Sequence, residues 1–553
     1  MISPLLRWVG PGLGLTTLLA ALTATAQWPI GMHLSSVKDI PTPEAQMAQL
    51  RAWGVTELEG GWPRSVPVNE YRRLLKENSL RMVGMGADFG LLRDSVALVA
   101  QRAKALGAEY VVCYWIPHGE TFTLADADKA IAVFTKAGQA LRKKGLTLCY
   151  HNHGYEFVKH GSRTRPDGTL FDYLAERLPA DVTQFELDVI WAKNTREGAL
   201  SQDPMALLKK YAGRFPLVHL KDRRPGTPSS LINPALRPHQ VALGQGDLGL
   251  SRFLQEARRS GVKHLFIEDE SLKPLEQIPQ SIAFLRQWER HKDEIRLLVR
   301  ADDLGMAHAA NRGIADAVRN GLARSVEVMA PTGWLAEGAE TLRHLPTADA
   351  GVHLTLTSEW KTLRWRPLTA APSLVDSTGH FFQTTWKGNS AMTSLLDHAP
   401  DFGEAERELR AQIERVRALL PQTSHLSVHM AFDRSHPRLR ELVEKLSAES
   451  RLPLLEPSTA EPFPKFEGQD SPDPTVRERG FVAALRSLTP GTYLLVTHPA
   501  YDTDEMKPLG ADVSANREAD TTLLTSAAAK AVIAERGIRL MDYRTVFEES
   551  QHP

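Results

Sequence analysis

The sequence predicts an α/β chain of two consecutive units, an N-terminal (β/α)8 barrel followed by a second, barrel-like (β/α) domain. Three observations predict it. Between residues 28 and 290, short apolar segments ending in polar residues alternate with stretches that carry Leu and Ala at three- and four-residue spacing. Alternation of this kind implies parallel strands joined by helical crossovers. A second series of the same kind starts at Ile295 and runs to about Glu549, and the 553 residues are enough for two or three domains of ordinary size.

Taken in chain order, the first segment reads as an address. Arg7 gives a positive start, residues 10–22 form an apolar run, and Ala24-Thr25-Ala26 offers small residues ahead of Gln27. The run is shorter than the ~20 residues a membrane span needs. The expectation is cleavage near Ala26 and a periplasmic or secreted mature chain with no stable membrane anchor. The predicted division is 1–26 leader, 27–294 barrel and 295–553 second domain.

Predicted strands of the barrel are 30–34, 55–59, 81–85, 110–114, 146–151, 184–188, 217–221 and 265–268, with helical stretches such as 128–143 and 251–260 between them. Eight units in about 260 residues is the size of a closed barrel. No Gly-rich phosphate loop follows the first strand, which argues against an open dinucleotide-binding sheet. The second unit follows the charged helix 281–294 without a Gly/Ser/Pro linker, so the two are expected to abut. Its predicted strands are 295–300, 325–329, 350–356, 425–429, 452–455, 493–498 and 538–542. The long segment 358–400 holds Trp360, Trp365 and Trp386. Loops of this length are usually functional, and indole rings suit either stacking on sugar faces or anchoring the loop.

Composition narrows the chemistry. With 66 Lys+Arg against 66 Asp+Glu there is no surplus of cations for phosphate contacts, which argues against a nucleic-acid partner. The two cysteines, Cys113 and Cys149, make neither a disulfide framework nor a Cys-rich zinc site. Any metal must rest on His, Asp and Glu.

Those residues gather at strand ends, where a barrel of this class builds its site. In the second unit Asp302-Asp303 closes one strand, His353 lies in another, His425 and His429 stand four apart in a third, and His498 ends a fourth. A carboxylate with two imidazoles is an open catalytic site for a divalent metal, and an adjacent carboxylate can act as base. In the first unit the strand ends carry Glu57 and Glu59, His151 and His153, Glu186 and Asp188, His219 and Asp222, and Glu268 and Glu270. His151 and His153 share a face of their strand. With Asp188, His219 and Glu268 they are expected to converge at the barrel mouth, a mixed N/O set that suits Mn, Zn, Co or Mg.

The second unit resembles the YdjC-like carbohydrate deacetylases (the ChbG/HpnK group). The likeness is carried by Ala301-Asp-Asp-Leu-Gly305, Asn311-Arg-Gly-Ile314, Gly351-Val-His-Leu-Thr-Leu-Thr357, Ser424-His-Leu-Ser-Val-His429, His498-Pro499, and Arg517-Glu518 near Tyr543-Arg544. It implies hydrolysis of an N-acetyl group from an amino sugar or oligosaccharide. It implies a metal on Asp303, His353 and His429, with Asp302 as base and His498 as acid or transition-state stabiliser. Trp360, Trp365 and Arg517 are the expected substrate contacts. This chain departs from the pattern at Ser427, where many members carry Asp, and at Ala500, where Gly is frequent.

The first unit resembles the sugar phosphate isomerase/epimerase-like (xylose isomerase-like) TIM barrels, through Tyr150-His-Asn-His-Gly-Tyr-Glu-Phe157, Phe185-Glu-Leu-Asp-Val-Ile-Trp191, Val218-His-Leu-Lys-Asp222, Gly244-Gln-Gly246 and Ile267-Glu-Asp-Glu270. Carried over, the metal ligands are His151, Asp188, His219 and Glu268, the first departing from a frequent Glu. His153 becomes a base, and Glu59, Glu156 and Lys221 substrate contacts. The combined expectation is an exported two-domain carbohydrate enzyme with a divalent metal (Zn, Mg or Mn) in each half: an N-deacetylase joined to a proton-moving isomerase or epimerase. The alternatives for the barrel are a lyase or hydrolase of modified glycosides and a non-catalytic sugar-binding module; an endonuclease is the weakest.

Overall fold

The computed structural model of the chain describes residues 28–551 apart from 62, 64, 161–167, 197, 389–390 and 455–459. The predicted leader lies outside the described residues. Eight parallel strands, β1 (Gly31–His33), β2 (Glu57–Gly60), β3 (Arg81–Gly86), β4 (Tyr110–Cys113), β5 (Thr147–His151), β6 (Thr183–Asp188), β7 (Leu217–Leu220) and β8 (His264–Ile267), close into a barrel in the order β1-β8-β7-β6-β5-β4-β3-β2. All eight predicted strands are present with ends displaced by two residues or fewer. Closure depends on Gly31: a β-carbon there would lie 2.2 Å from the carbonyl oxygen of Leu265. The helices outside are amphipathic. In Leu124–Arg142, Thr123 and Asp126 form a capping box, and Ala127, Ala130, Phe134, Ala137 and Leu141 line the buried stripe.

Helix Pro274–His291 leads straight into the second unit. Its strands are β9 (Ile295–Leu304), β10 (Ser325–Val328), β11 (Asp349–Leu354), β12 (Thr423–Val428), β13 (Glu461–Pro462), β14 (Gly491–Thr497) and β15 (Arg539–Met541). They form a parallel sheet in the order β12-β11-β10-β9-β14-β13, curled into a half-barrel rather than closed. One edge of β9 is shared: Arg296–Leu298 pair with β15, and Arg300–Leu304 with β10. The strand predicted at 452–455 is not formed among the described residues. Leu454 makes a lone bridge to Leu426 of β12, because Pro453 has no N–H to continue a ladder, and the strand Glu461–Pro462 lies at the opposite edge of the sheet, beside β14.

The halves abut, as the missing linker implied. His291, at the end of the barrel's last helix, reaches Glu549 at 3.6 Å, and Arg252 of the barrel pairs with Glu461 at 2.9 Å. The long segment 358–400 is fastened to helix Phe402–Leu419. Glu408 accepts the backbone N–H groups of Leu368 and Thr369, and Glu404 that of Ser373. Within the segment, Trp365, Leu374, Phe381 and Leu395 are buried.

Candidate functional site

A cleft of about 730 Å³ opens at the C-terminal ends of β9, β11, β12 and β14, and Asp302, Asp303, His353, His429, His498 and Arg517 all line it. Adjacent residues of a regular strand face opposite ways. Here Asp303 takes φ +74°, a left-handed conformation costing a non-glycine residue about 1–2 kcal/mol. That turn puts both carboxylates on one side: Nε2 of His353 is 3.8 Å from Oδ2 of Asp302 and 3.8 Å from Oδ1 of Asp303. Asn311 holds the turn, accepting from the Gly305 N–H at 2.8 Å and donating to the Trp334 carbonyl. Beyond His429, Met430 and Ala431 are left-handed as well, so this wall too is built on strained backbone.

Asp303, His353 and His429 bring one ligand atom each within 4.8 Å of one another. Nδ1 of His429 lies 3.3 Å from Nε2 of His353 and 3.5 Å from Oδ1 of Asp303. That Asp303 oxygen is buried and has no hydrogen-bond partner among the described residues. Leaving a carboxylate oxygen so costs several kcal/mol unless a cation answers it. The donor set and its orphaned oxygen fit a divalent ion. Burial alone would raise Asp303, but the charges of Arg517, His498, His429 and His353 outweigh it and hold the carboxyl far below its usual range. Burial pushes His353 down to about 4. His429 moves the other way, because Glu359 and the two aspartates overcome its burial.

Several neighbours escaped the sequence reading. Arg300 grips Asp302 with two hydrogen bonds of 2.7 Å. It stands two residues earlier in the same strand, so period-two reasoning would have found it. Glu359 accepts from Nε2 of His429 at 3.1 Å. His425 does not reach the cleft: it is buried, bonded to Glu327 at 2.8 Å and stacked on Tyr543 at 3.9 Å. Trp365, read as a substrate contact, is buried instead; its indole donates to the Thr357 carbonyl and its ring flanks His429. Trp360 does line the cleft, and its Nε1 is buried without a partner among the described residues. Arg517, also read as a substrate contact, spends Nη2 on Asp303 at 2.7 Å, while its Nη1 has no such partner.

The barrel gathers its polar residues too, in a different grouping from the one expected. Two sets have metal-ligand spacing, His151/Asp188/His219 and His33/Glu59/His219. His33 was missed although it ends the first strand, and Glu59, read as a substrate contact, belongs with the ligating groups. Glu268 is in neither set, because its oxygens meet Ser35, His219 and Lys221. Lys221, also read as a substrate contact, is almost fully buried, 3.0 Å from Asp188, 2.8 Å from Glu268 and 2.7 Å from Glu270. Glu156 is buried as well, bonded to Tyr150 and to the His153 N–H, and burial raises it to about 7. His153 keeps partial exposure and lies beside Trp115; burial of its ring lowers it to about 4, so it is neutral at pH 7. Buried oxygens of Glu59 and Glu186 lack hydrogen-bond partners among the described residues, whereas Oδ2 of Asp188 already faces the Lys221 ammonium at 3.0 Å, so of the ligating carboxylates Glu59 is the one that offers a cation an unanswered oxygen.

Comparison with known proteins finds a family match in each half of the chain. Residues 296–535 match the YdjC-like protein family and residues 47–288 the xylose isomerase-like TIM barrel family. A carbohydrate deacetylase of Geobacillus stearothermophilus is 30% identical over 261 residues, 45% of this chain and 98% of that protein. One of Thermus thermophilus is 36% identical over 262 residues, 43% of this chain and 89% of that protein. A chitooligosaccharide deacetylase of Yersinia pestis is 31% identical over 267 residues, 44% and 96%. Among solved structures, a sugar phosphate isomerase/epimerase of Parabacteroides distasonis is 22% identical with a TM-score of 0.38, covering 47% of this chain and 97% of that one.

Proposed function

We propose, because this chain belongs to the YdjC-like family through its C-terminal half, that the cleft around Asp303, His353 and His429 hydrolyses the N-acetyl group of an amino sugar or oligosaccharide. One observation carries the reading: two imidazole nitrogens face a buried carboxylate oxygen that nothing else answers. A divalent cation there supplies Lewis acidity toward the acetamide oxygen and lowers the pKa of water. The remaining steps belong to the chain. Asp302, held by Arg300, accepts the proton of the attacking water. His498 gives a proton to the nitrogen as the C–N bond breaks, so the products are acetate and a free amino sugar. The unpartnered donors of Arg517 and Trp360 point to substrate oxygens as their acceptors.

For the barrel we propose metal-dependent proton transfer of the isomerase/epimerase type, with neutral His153 as base. A second reading, a sugar-binding module without catalysis, is favoured by Lys221, whose ammonium already neutralises Asp188 and Glu268. The leader-like residues 1–26 support export before either activity. The test is acetate release from a panel of N-acetylated mono- and oligosaccharides, with and without added divalent metal. Release that depends on metal and disappears in Asp303→Ala is expected; release that survives in the stripped variant overturns the reading.

A further inference from the structure

We infer that Glu327 orients His353 for cation binding through Ser427, so that β10 supplies a carboxylate that β12 itself lacks. The inference rests on the reading of Asp303, His353 and His429 as the cation site. Nδ1 of His353 is 2.8 Å from Oγ of Ser427, and that hydroxyl donates to Oε2 of Glu327. Donor counting fixes the direction. A carboxylate only accepts, so Ser427 spends its single proton on Glu327 and can only accept from His353. Nδ1 of His353 therefore carries the ring proton. Nε2, the nitrogen that faces Asp303 at 3.8 Å, keeps its lone pair, which is what a ligand through Nε2 requires.

The other side of Glu327 is also built. Its Oε1 meets Nε2 of His425 at 2.8 Å, Nδ1 of His425 lies 2.8 Å from Oγ of Ser424, and Ser424 donates to Asp349. By the same counting both nitrogens of His425 donate, so an imidazolium balances the Glu327 carboxylate. Gly351 makes room for the pair: a β-carbon there would lie 2.3 Å from Nε2 of His425 and 2.4 Å from Oε2 of Glu327. Both Glu327 and His425 are fully buried. A buried ionic pair with no contact to the cleft has a large desolvation cost and no hydrophobic return, and the relay to His353 gives it a purpose. A serine at 427 is too short to set the imidazole by charge, and Glu327 completes the reach.

The test is Zn²⁺ competition against a chromogenic chelator on the full chain, with Asp303→Ala as the blank that subtracts zinc held elsewhere, the barrel included. Removing an outer partner of a metal ligand weakens metal binding about 10–100-fold. That loss is expected for Ser427→Ala, which leaves the Glu327–His425 pair intact, and for Glu327→Gln. Glu327→Gln combined with Ser427→Asp returns a carboxylate to Nδ1 directly and should recover zinc affinity to within about three-fold of wild type. If Glu327→Gln does not fold, Ser427→Ala decides alone. Wild-type uptake no greater than the Asp303→Ala blank overturns the cation site and the relay together. Wild-type uptake matched by Ser427→Ala overturns the relay only, as does a folded double variant that fails to recover.

Discussion

Asp303 and Arg517 are 214 residues apart in sequence and meet at 2.7 Å through one carboxylate oxygen, leaving the other buried and free to face His353 and His429. The pair is a divided carboxylate, one oxygen fixed by a guanidinium and one reserved. Removing one partner of a buried ion pair costs about 3–5 kcal/mol. Arg517→Met should therefore lower stability by that order and abolish acetate release. Arg517→Lys keeps the charge but loses the planar fork, and should stay folded with kcat/KM down about 10-fold or more. Thermal unfolding and acetate assays on both variants check this, and a fully active Arg517→Met would rule it out.

Arg300 plays the same part for Asp302 with both oxygens engaged. A general base contributes about 10²–10⁴-fold to rate. Asp302→Asn should lose activity on that scale while zinc affinity stays near wild type. Arg300→Lys should give a smaller loss in kcat, because one ammonium cannot hold both oxygens. A zinc affinity that falls in parallel with kcat in Asp302→Asn would move Asp302 from base to ligand.

These pairs mark the boundary of what could be read from residues alone. All eight barrel strands and six of the seven strands of the second unit stood out, because short apolar runs alternate with helix-patterned stretches along both halves, and several of those runs end in or border His, Asp or Glu. Asp303, His353 and His429 stood out as candidates as well, since each ends or borders a strand, and their ligand atoms do come together. What did not follow depends on backbone turns and on strand neighbours. Glu327 and Ser427 meet only because β10, β11 and β12 lie side by side. Glu359 comes from irregular chain, where no period aims a side chain. Trp365 looked like a platform for sugar, yet a tryptophan is as useful for anchoring, and only burial separates the two. Lys221 was misjudged for a related reason: three carboxylates surround it, from β6 and the segment after β8, and none is near it in sequence.

Stability should depend on pH through Glu461, at the contact between the two halves. Burial pushes its carboxyl up to about 7, and Arg252, largely exposed, only partly offsets this. The folded chain thus holds a proton that the unfolded chain releases near pH 4.5. Stability from this group is complete below about pH 4.5 and declines as pH rises through 7. After allowance for solvent screening the effect is about 1 kcal/mol. Glu461→Gln should flatten that part of the profile, and melting temperatures of both chains between pH 5 and 8 will show whether it does.

The barrel offers the sharpest contrast between a resident ammonium and a divalent ion. Lys221 lies 3.0 Å from Asp188, so any cation bound at His151, Asp188 and His219 shares that carboxylate with it. Two cations so close repel, and at an effective dielectric of about 20 a unit-charge pair at 4 Å interacts by about 4 kcal/mol. Lys221→Met should therefore destabilise the metal-free chain, which is left with unpaired carboxylates. It should also raise Mn²⁺ affinity in the barrel by about 10-fold or more. Measured in an Asp303→Ala background, so that the second unit is silent, a Mn²⁺ titration followed by electron paramagnetic resonance isolates the barrel. Unchanged Mn²⁺ uptake with an unchanged melting temperature would mean that the ammonium and the ion occupy separate places, and that Lys221 serves neither to replace the metal nor to oppose it.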